Sequence, residues 1–112
     1  DELISEIRLP QQSGSVGSAF NEMAIRHGDF AIIAVAVVAD QNGSDIGIGG
    51  GANRPVTHRL PIISNDDLRD ALNDLAWSLD CQDDLHATAA YRRHLIRALG
   101  ERTIMEALAC RS

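Results

Sequence analysis

The sequence predicts an α+β domain of three or four mostly antiparallel strands, with about three helices packed on one face. Three observations carry this. The run from Phe30 to Ala39 is uncharged and rich in the β-branched residues that suit a pleated surface. Asn42-Gly43 follows it at once, the favoured pair for a tight hairpin. Two later stretches, Ser64–Leu79 and Thr88–Ala109, repeat apolar residues at spacings of three and four, the mark of an amphipathic helix.

The element order follows from the same signals. Leu3–Leu9 alternates Leu3, Ser5, Ile7 and Leu9 against Ile4, Glu6 and Arg8, and reads as a strand that Pro10 ends. Gln11–Gly17 is a polar loop. Val16, Ala19, Phe20, Met23, Ala24 and His27 share one side of a helix, so the spacing predicts a short helix from Ser18, with Gly28-Asp29 as the corner into the Phe30–Ala39 strand. Both faces of that strand are apolar, so both should be covered, by this chain's own layers or by a second domain or subunit. Gln41–Ser44 is the turn, and Asp45–Gly49 the short returning strand.

Gly49-Gly50-Gly51 contains Gly-x-Gly, but Ala52-Asn53-Arg54-Pro55 follows it where a dinucleotide fingerprint needs a helix. A bulge or a close approach of backbone is the better reading. Val56–Leu60 is a further strand, closed by Pro61. Ser64 with Asp67 resembles a capping box, and Asp66 and Asp67 suit the positive end of the helix dipole. Leu68, Ala71, Leu72, Leu75, Ala76 and Leu79 form the apolar stripe, with Trp77 on its flank. Asp80–Ala87 is a loop, and Thr88 can cap a last helix. Tyr91, Leu95, Ala98, Leu99, Met105 and Leu108 are its expected inner face, and Gly100 a kink or a split. Arg92, Arg93 and Arg97 read as a solvated face paired with Asp80, Asp83 or Asp84.

Length fits one domain, residues 1–112, with room for one core. All 10 basic residues are Arg, against 16 Asp and Glu, for a net charge of −6. That balance argues against nucleic acid or an anionic membrane as the main partner. The longest apolar run falls well short of the roughly 20 residues a membrane helix needs. No signal-peptide pattern is visible. Cys81 and Cys110 read as free thiols of a cytoplasmic protein, and the four histidines match no zinc spacing. Asp83, Asp84 and His86 cluster without a nucleophile, so no catalytic set assembles.

Four stretches together resemble one family. Ser18-Ala19-Phe20 with Arg26-His27-Gly28-Asp29-Phe30-Ala31 is similar to its "SAF…RRHGDFA" signature. Leu3–Pro10 resembles its first strand. Gly49–Pro55 resembles its "GGVAPRPV" turn, and Ala89–Leu95 its "AEYRRHL" helix start. The family is the C-terminal domain of the FAD-binding (medium) subunit of molybdenum hydroxylases, which include carbon monoxide and xanthine dehydrogenases. The resemblance spans nearly the whole chain.

It implies a cytoplasmic flavoprotein subunit in an oxidoreductase. There a molybdopterin subunit oxidises substrate, iron–sulfur clusters relay electrons, and FAD passes them to an external acceptor. FAD is held mainly by an upstream FAD-binding domain that this sequence does not contain, so the isolated domain is expected to be inactive. The resemblance places Ser18, Phe20 and Asn21 beside the flavin, with Asn21 where some relatives carry Lys. It gives Arg26 and Asp29 a structural role. The rival reading is a stand-alone, non-catalytic binding or dimerisation module on the same fold.

Overall fold

The structure, a computed structural model, describes residues 3, 6, 16–24, 31–61, 65–84 and 87–110. Strands β1 (Gly17–Ala24), β2 (Ala31–Ala39), β3 (Gly43–Gly49) and β4 (Val56–Pro61) precede helices α1 (Asn65–Ser78) and α2 (Ala89–Ala109). The strands form one antiparallel sheet in the order β1-β2-β3-β4. Helix α2 lies across β1 and β2, and α1 packs on α2. The α+β class therefore holds, with four strands and, among the described residues, two helices on one face.

The expected third helix is strand β1. Its pairs run from Gly17–Ala39 to Met23–Ile33, with an irregularity at Ala24. The strand splits the expected helical side between its faces: Ala19 and Met23 point one way with Asn21, and Phe20 points the other with Ser18 and Glu22. Pairing with β2 supplies the backbone partners that decide between the two periods. Residues 25–30, with the Gly28-Asp29 corner, lie outside the described residues. So does most of the Leu3–Leu9 strand; Leu3 and Glu6 are described, and both are exposed without regular structure.

The hairpin forms one residue earlier than expected. Asp40 N–H donates to Gly43 O at 2.8 Å, and Ala39 pairs with Ser44. The Asp40 carboxylate accepts from the backbone N–H of Asn42 (2.7 Å) and Gly43 (3.1 Å) and from Arg59 Nη2 (2.9 Å). Arg59 first, then the Asn42 N–H, hold the Asp40 carboxyl below its ordinary value. A carboxyl with a depressed folded pKa stabilises the fold above its unfolded pKa of about 3.9, and that contribution disappears as pH falls through the folded value. Thermal melts should therefore fall in midpoint on acidification below about pH 4, and Asp40→Asn should flatten that part of the profile. An unchanged slope in the variant would remove Asp40 from this role.

The core lies between the sheet and the helices. Ile33, Val35 and Val37 of β2 and Ile46 and Ile48 of β3 are fully buried against Leu72, Ile96 and Ala107. Each such side chain contributes about 1.5–3 kcal/mol by leaving water. Helix α2 is unbroken at Gly100, where an added Cβ would stand 2.9 Å from Leu72 Cδ2 and 3.6 Å from Ile46 Cδ1. The glycine lets α1 and the sheet approach α2.

The buried face of α2 is Arg92, Leu95, Ile96, Leu99, Gly100, Thr103, Ile104 and Ala107. Leu95 and Leu99 are placed as expected, but Tyr91, Ala98, Met105 and Leu108 face solvent. Three polar or small residues in the buried stripe hide it from a hydrophobic count. Trp77 is on the flank, 64% exposed, with the Arg93 guanidinium 4.5 Å over its ring.

Candidate functional site

The two faces of the sheet differ. The inner face carries the core. On the outer face the register aligns Glu22, Ala34 and Gly49 in one row, Phe20, Ala36, Gly47 and Thr57 in the next, and Ser18, Val38, Asp45 and Arg59 in a third. Ala36, Val38 and Phe20 are exposed, Phe20 at 58%. Of the two covers expected for β2, its own layers supply one: among the described residues nothing lies over its outer face.

Ala34, Ala36, Gly47 and Gly49 floor a shallow trough of about 250 Å³ on that face. Phe20 stands on one side and Pro55 and Thr57 on the other. Nothing among the described residues requires glycine at positions 47 and 49. Neither has a positive φ. A Cβ at Gly47 would find Ala36 O at 3.8 Å as its nearest neighbour, and one at Gly49 the Ala34 Cβ at 3.8 Å. Those are ordinary contacts. Glycine inside a strand weakens it, and it recurs at bulges, at bends and where a ligand or another backbone approaches closely.

The three residues implied by the resemblance divide between the faces. Ser18 and Phe20 are on the open face. Asn21 is half-buried beneath α2, where its amide donates to Thr103 Oγ1 at 3.0 Å and Glu106 Oε2 at 3.2 Å. Asn21, and after it Arg102, hold the Glu106 carboxyl below its ordinary value. The side chain so placed ties β1 to α2.

Sequence reasoning missed a second centre, at the end of the sheet where residues 50–55 turn. Arg92 is 8% exposed. Its Nη1 donates to Ile32 O (2.9 Å) and Gly50 O (3.0 Å), and its Nη2 to Asp84 Oδ2 (2.8 Å). The guanidinium edges a cavity of about 180 Å³ shared with Ala52, Asn53 and Gln82. It is not part of a solvated face. The expected pairing with Asp84 holds; the burial of Arg92 and its bonds to the Ile32 and Gly50 carbonyls are what the sequence did not show.

The acidic loop organises the start of α2. Asp83 Oδ1 accepts from Ala89 N–H at 2.5 Å, Asp84 Oδ1 from Ala87 N–H at 3.1 Å, and Thr88 Oγ1 from Tyr91 N–H at 3.1 Å. Thr88 is the N-cap, as expected. These carboxylates hold backbone and Arg92; His86 lies outside the described residues. Cys81, buried, and Cys110, exposed, are free thiols, and burial raises the Cys81 thiol's pKa. No helix among the described residues is long and apolar enough to cross a membrane.

Known proteins share this architecture and sequence. In an alignment of 120 positions that takes in 96% of its length, the chain is 33% identical to the 6-hydroxypseudooxynicotine dehydrogenase complex subunit alpha of Paenarthrobacter nicotinovorans, covering 40% of that protein. In an alignment of 124 positions, again taking in 96% of its length, it is 33% identical to the nicotine 6-hydroxylase medium subunit of the same organism, covering 41% of it. The chain thus spans about two fifths of these relatives. A 38-residue stretch, 34% of this chain and 13% of the relative, is 58% identical to caffeine dehydrogenase subunit beta of Pseudomonas sp. (strain CBB1).

Among solved structures, a carbon monoxide dehydrogenase from Hydrogenophaga pseudoflava superposes with a TM-score of 0.81 at 17% identity, over 93% of this chain and 40% of that one. Quinoline 2-oxidoreductase from Pseudomonas putida 86 gives 0.68 at 21%, over 85% and 38%. These likenesses establish the fold. Ser18 and Phe20 on the outer face of β1, the glycine turn and the Arg92 helix start all fall within residues 18–107, which match one family model. By that match the chain belongs to the CO dehydrogenase flavoprotein C-terminal domain family.

Proposed function

We propose that this chain is the C-terminal domain of the flavoprotein subunit of a molybdenum hydroxylase. In that role it buttresses an FAD held mainly by a domain upstream. It also contributes to contacts with iron–sulfur and molybdopterin subunits. Electrons pass in such an assembly from molybdenum through the clusters to FAD and an external acceptor, in the cytoplasm. Family membership supports the frame, as do relatives named as subunits of a nicotine hydroxylase and of a dehydrogenase complex.

The observation that carries the reading is the glycine floor of the open face. A flat, apolar, methyl-lined surface suits a planar ring system or a closely packed domain, and Phe20 at its border offers an aromatic edge. The lining is almost wholly apolar, which suits a ring and not a pyrophosphate, and among the described residues no glycine-rich loop opens a helix. Bound there, FAD supplies the electron-carrying ring; Ser18 and Phe20 cover it and keep water out. Asn21 acts one step back, by fixing β1 to α2.

Phe20→Ala tests this in the full-length gene product. Removing an aromatic ring from such a pairing costs about 0.5–1.5 kcal/mol, so flavin retention should weaken roughly 2- to 12-fold, with a shift in the visible flavin band. Trp77→Ala, on α1 and equally exposed, should change neither. Equal behaviour of the two variants would remove Phe20 from the site.

A further inference from the structure

We propose that Arg92 is the positioning residue of the open face: its buried guanidinium fixes the Gly50–Pro55 turn against β2, and so sets one end of the trough. The inference rests on the reading of that face given above.

The β2–β3 ladder ends at the Ala34–Gly49 pair. Just beyond it the carbonyls of Ile32 and Gly50 converge on one nitrogen, Arg92 Nη1, at 2.9 and 3.0 Å. Two carbonyl dipoles aimed at one point repel each other unless a donor lies between them. Arg92 is that donor. It enters from α2, a different layer from both strands. The turn it holds is tightly placed: Gly50 has φ +88°, and a Cβ there would collide with Ile32 O and stand 3.5 Å from Arg92 Nη1. Gly51 is pressed on Leu79, Ile48 and Ile96. Gly49, immediately before the turn, floors the trough, and Pro55, at its end, walls it. Whatever moves Gly50 moves both.

A stability role alone explains this arrangement poorly. Arg92 Nε is buried with no hydrogen-bond partner. Buried charges of this kind are often replaced by apolar residues of similar volume without loss of stability. What an apolar residue cannot do is hold two carbonyls together. Lysine cannot do it fully either, because its point charge lacks the fork that reaches both carbonyls and Asp84.

The test uses the full-length gene product with its flavin. Wild type, Arg92→Met and Arg92→Lys are compared with Gly47→Val on the open face and with Leu68→Ala, a core change at the far end of α1. Amide hydrogen exchange is read across residues 49–54, together with flavin retention, well below each melting temperature. Arg92→Met is expected to speed exchange in the turn at least tenfold and weaken flavin retention at least tenfold, with Arg92→Lys between it and wild type. Leu68→Ala should lower the melting temperature and leave both readouts unchanged. If Arg92→Met lowers only the melting temperature while Gly47→Val releases flavin, the positioning role is overturned and the reading of the face stands. If flavin is indifferent to both Gly47→Val and Arg92→Met, the reading of the face fails, and the positioning role with it. Arg92→Lys decides the same points should Arg92→Met not fold.

Discussion

On the proposed reading of the open face, Gly47→Val should leave the protein as stable as before, or more so, and still weaken flavin retention in the full-length gene product. The prediction follows from what a side chain at position 47 would touch. Among the described residues its Cβ would find nothing closer than Ala36 O at 3.8 Å. Position 47 is mid-strand, between Ala36 and Thr57, with both flanking ladders intact. A β-branched residue suits that place better than glycine, by up to about 1 kcal/mol. Its methyls would stand on the floor of the trough, in the space that the proposed partner occupies. Extra methyls in a packed interface cost about 1–3 kcal/mol, or roughly 5- to 150-fold in retention. Melting temperature and the ratio of flavin to protein absorbance after gel filtration measure the two effects separately. A variant with normal flavin content would show that the floor is not a contact surface.

Gly50→Ala, three residues on, should have the opposite sign on stability. Here φ is +88°, a conformation that costs L side chains about 1–2 kcal/mol. The new Cβ would also collide with Ile32 O, so the turn must leave β2. Overpacking of this kind adds about 1–3 kcal/mol, for a total near 3 kcal/mol. The same displacement separates the carbonyls that Arg92 bridges. Denaturant melts should show the midpoint falling sharply with an unchanged slope. A loss below about 0.5 kcal/mol, the range of an ordinary surface change, would mean that the turn is not held as described.

The contrast between these glycines marks where the sequence is legible. Gly47 and Gly49 alternate with Ile46 and Ile48, so glycine on one face of a strand and isoleucine on the other is visible in the letters alone. What the letters do not say is which face the helices cover. Helix α1, its apolar stripe and the Thr88 cap follow local rules and lie where those rules put them, and the hairpin signal at Asn42-Gly43 is right to within one residue. Strand β1 does not, because Gly17–Ala24 satisfies both periods and only pairing with β2 chooses. The buried stripe of α2 escapes for another reason. Arg92, Gly100 and Thr103 are polar or small, and each is buried to serve a contact remote in sequence: Ile32 and Gly50, Leu72, and Asn21. The family motifs were legible as motifs. That the glycine turn and the helix start meet at one guanidinium was not.

The most direct test of the central claim is the composition of the protein purified from its native host: mass of each polypeptide, visible spectrum, and iron and molybdenum content. The expected result is a flavin-bearing polypeptide longer than this chain, copurifying with iron–sulfur and molybdenum subunits. A colourless species of 12.1 kDa, free of flavin and metals, would contradict it. The fold would then serve a stand-alone module, with the open face of β2 as its contact surface.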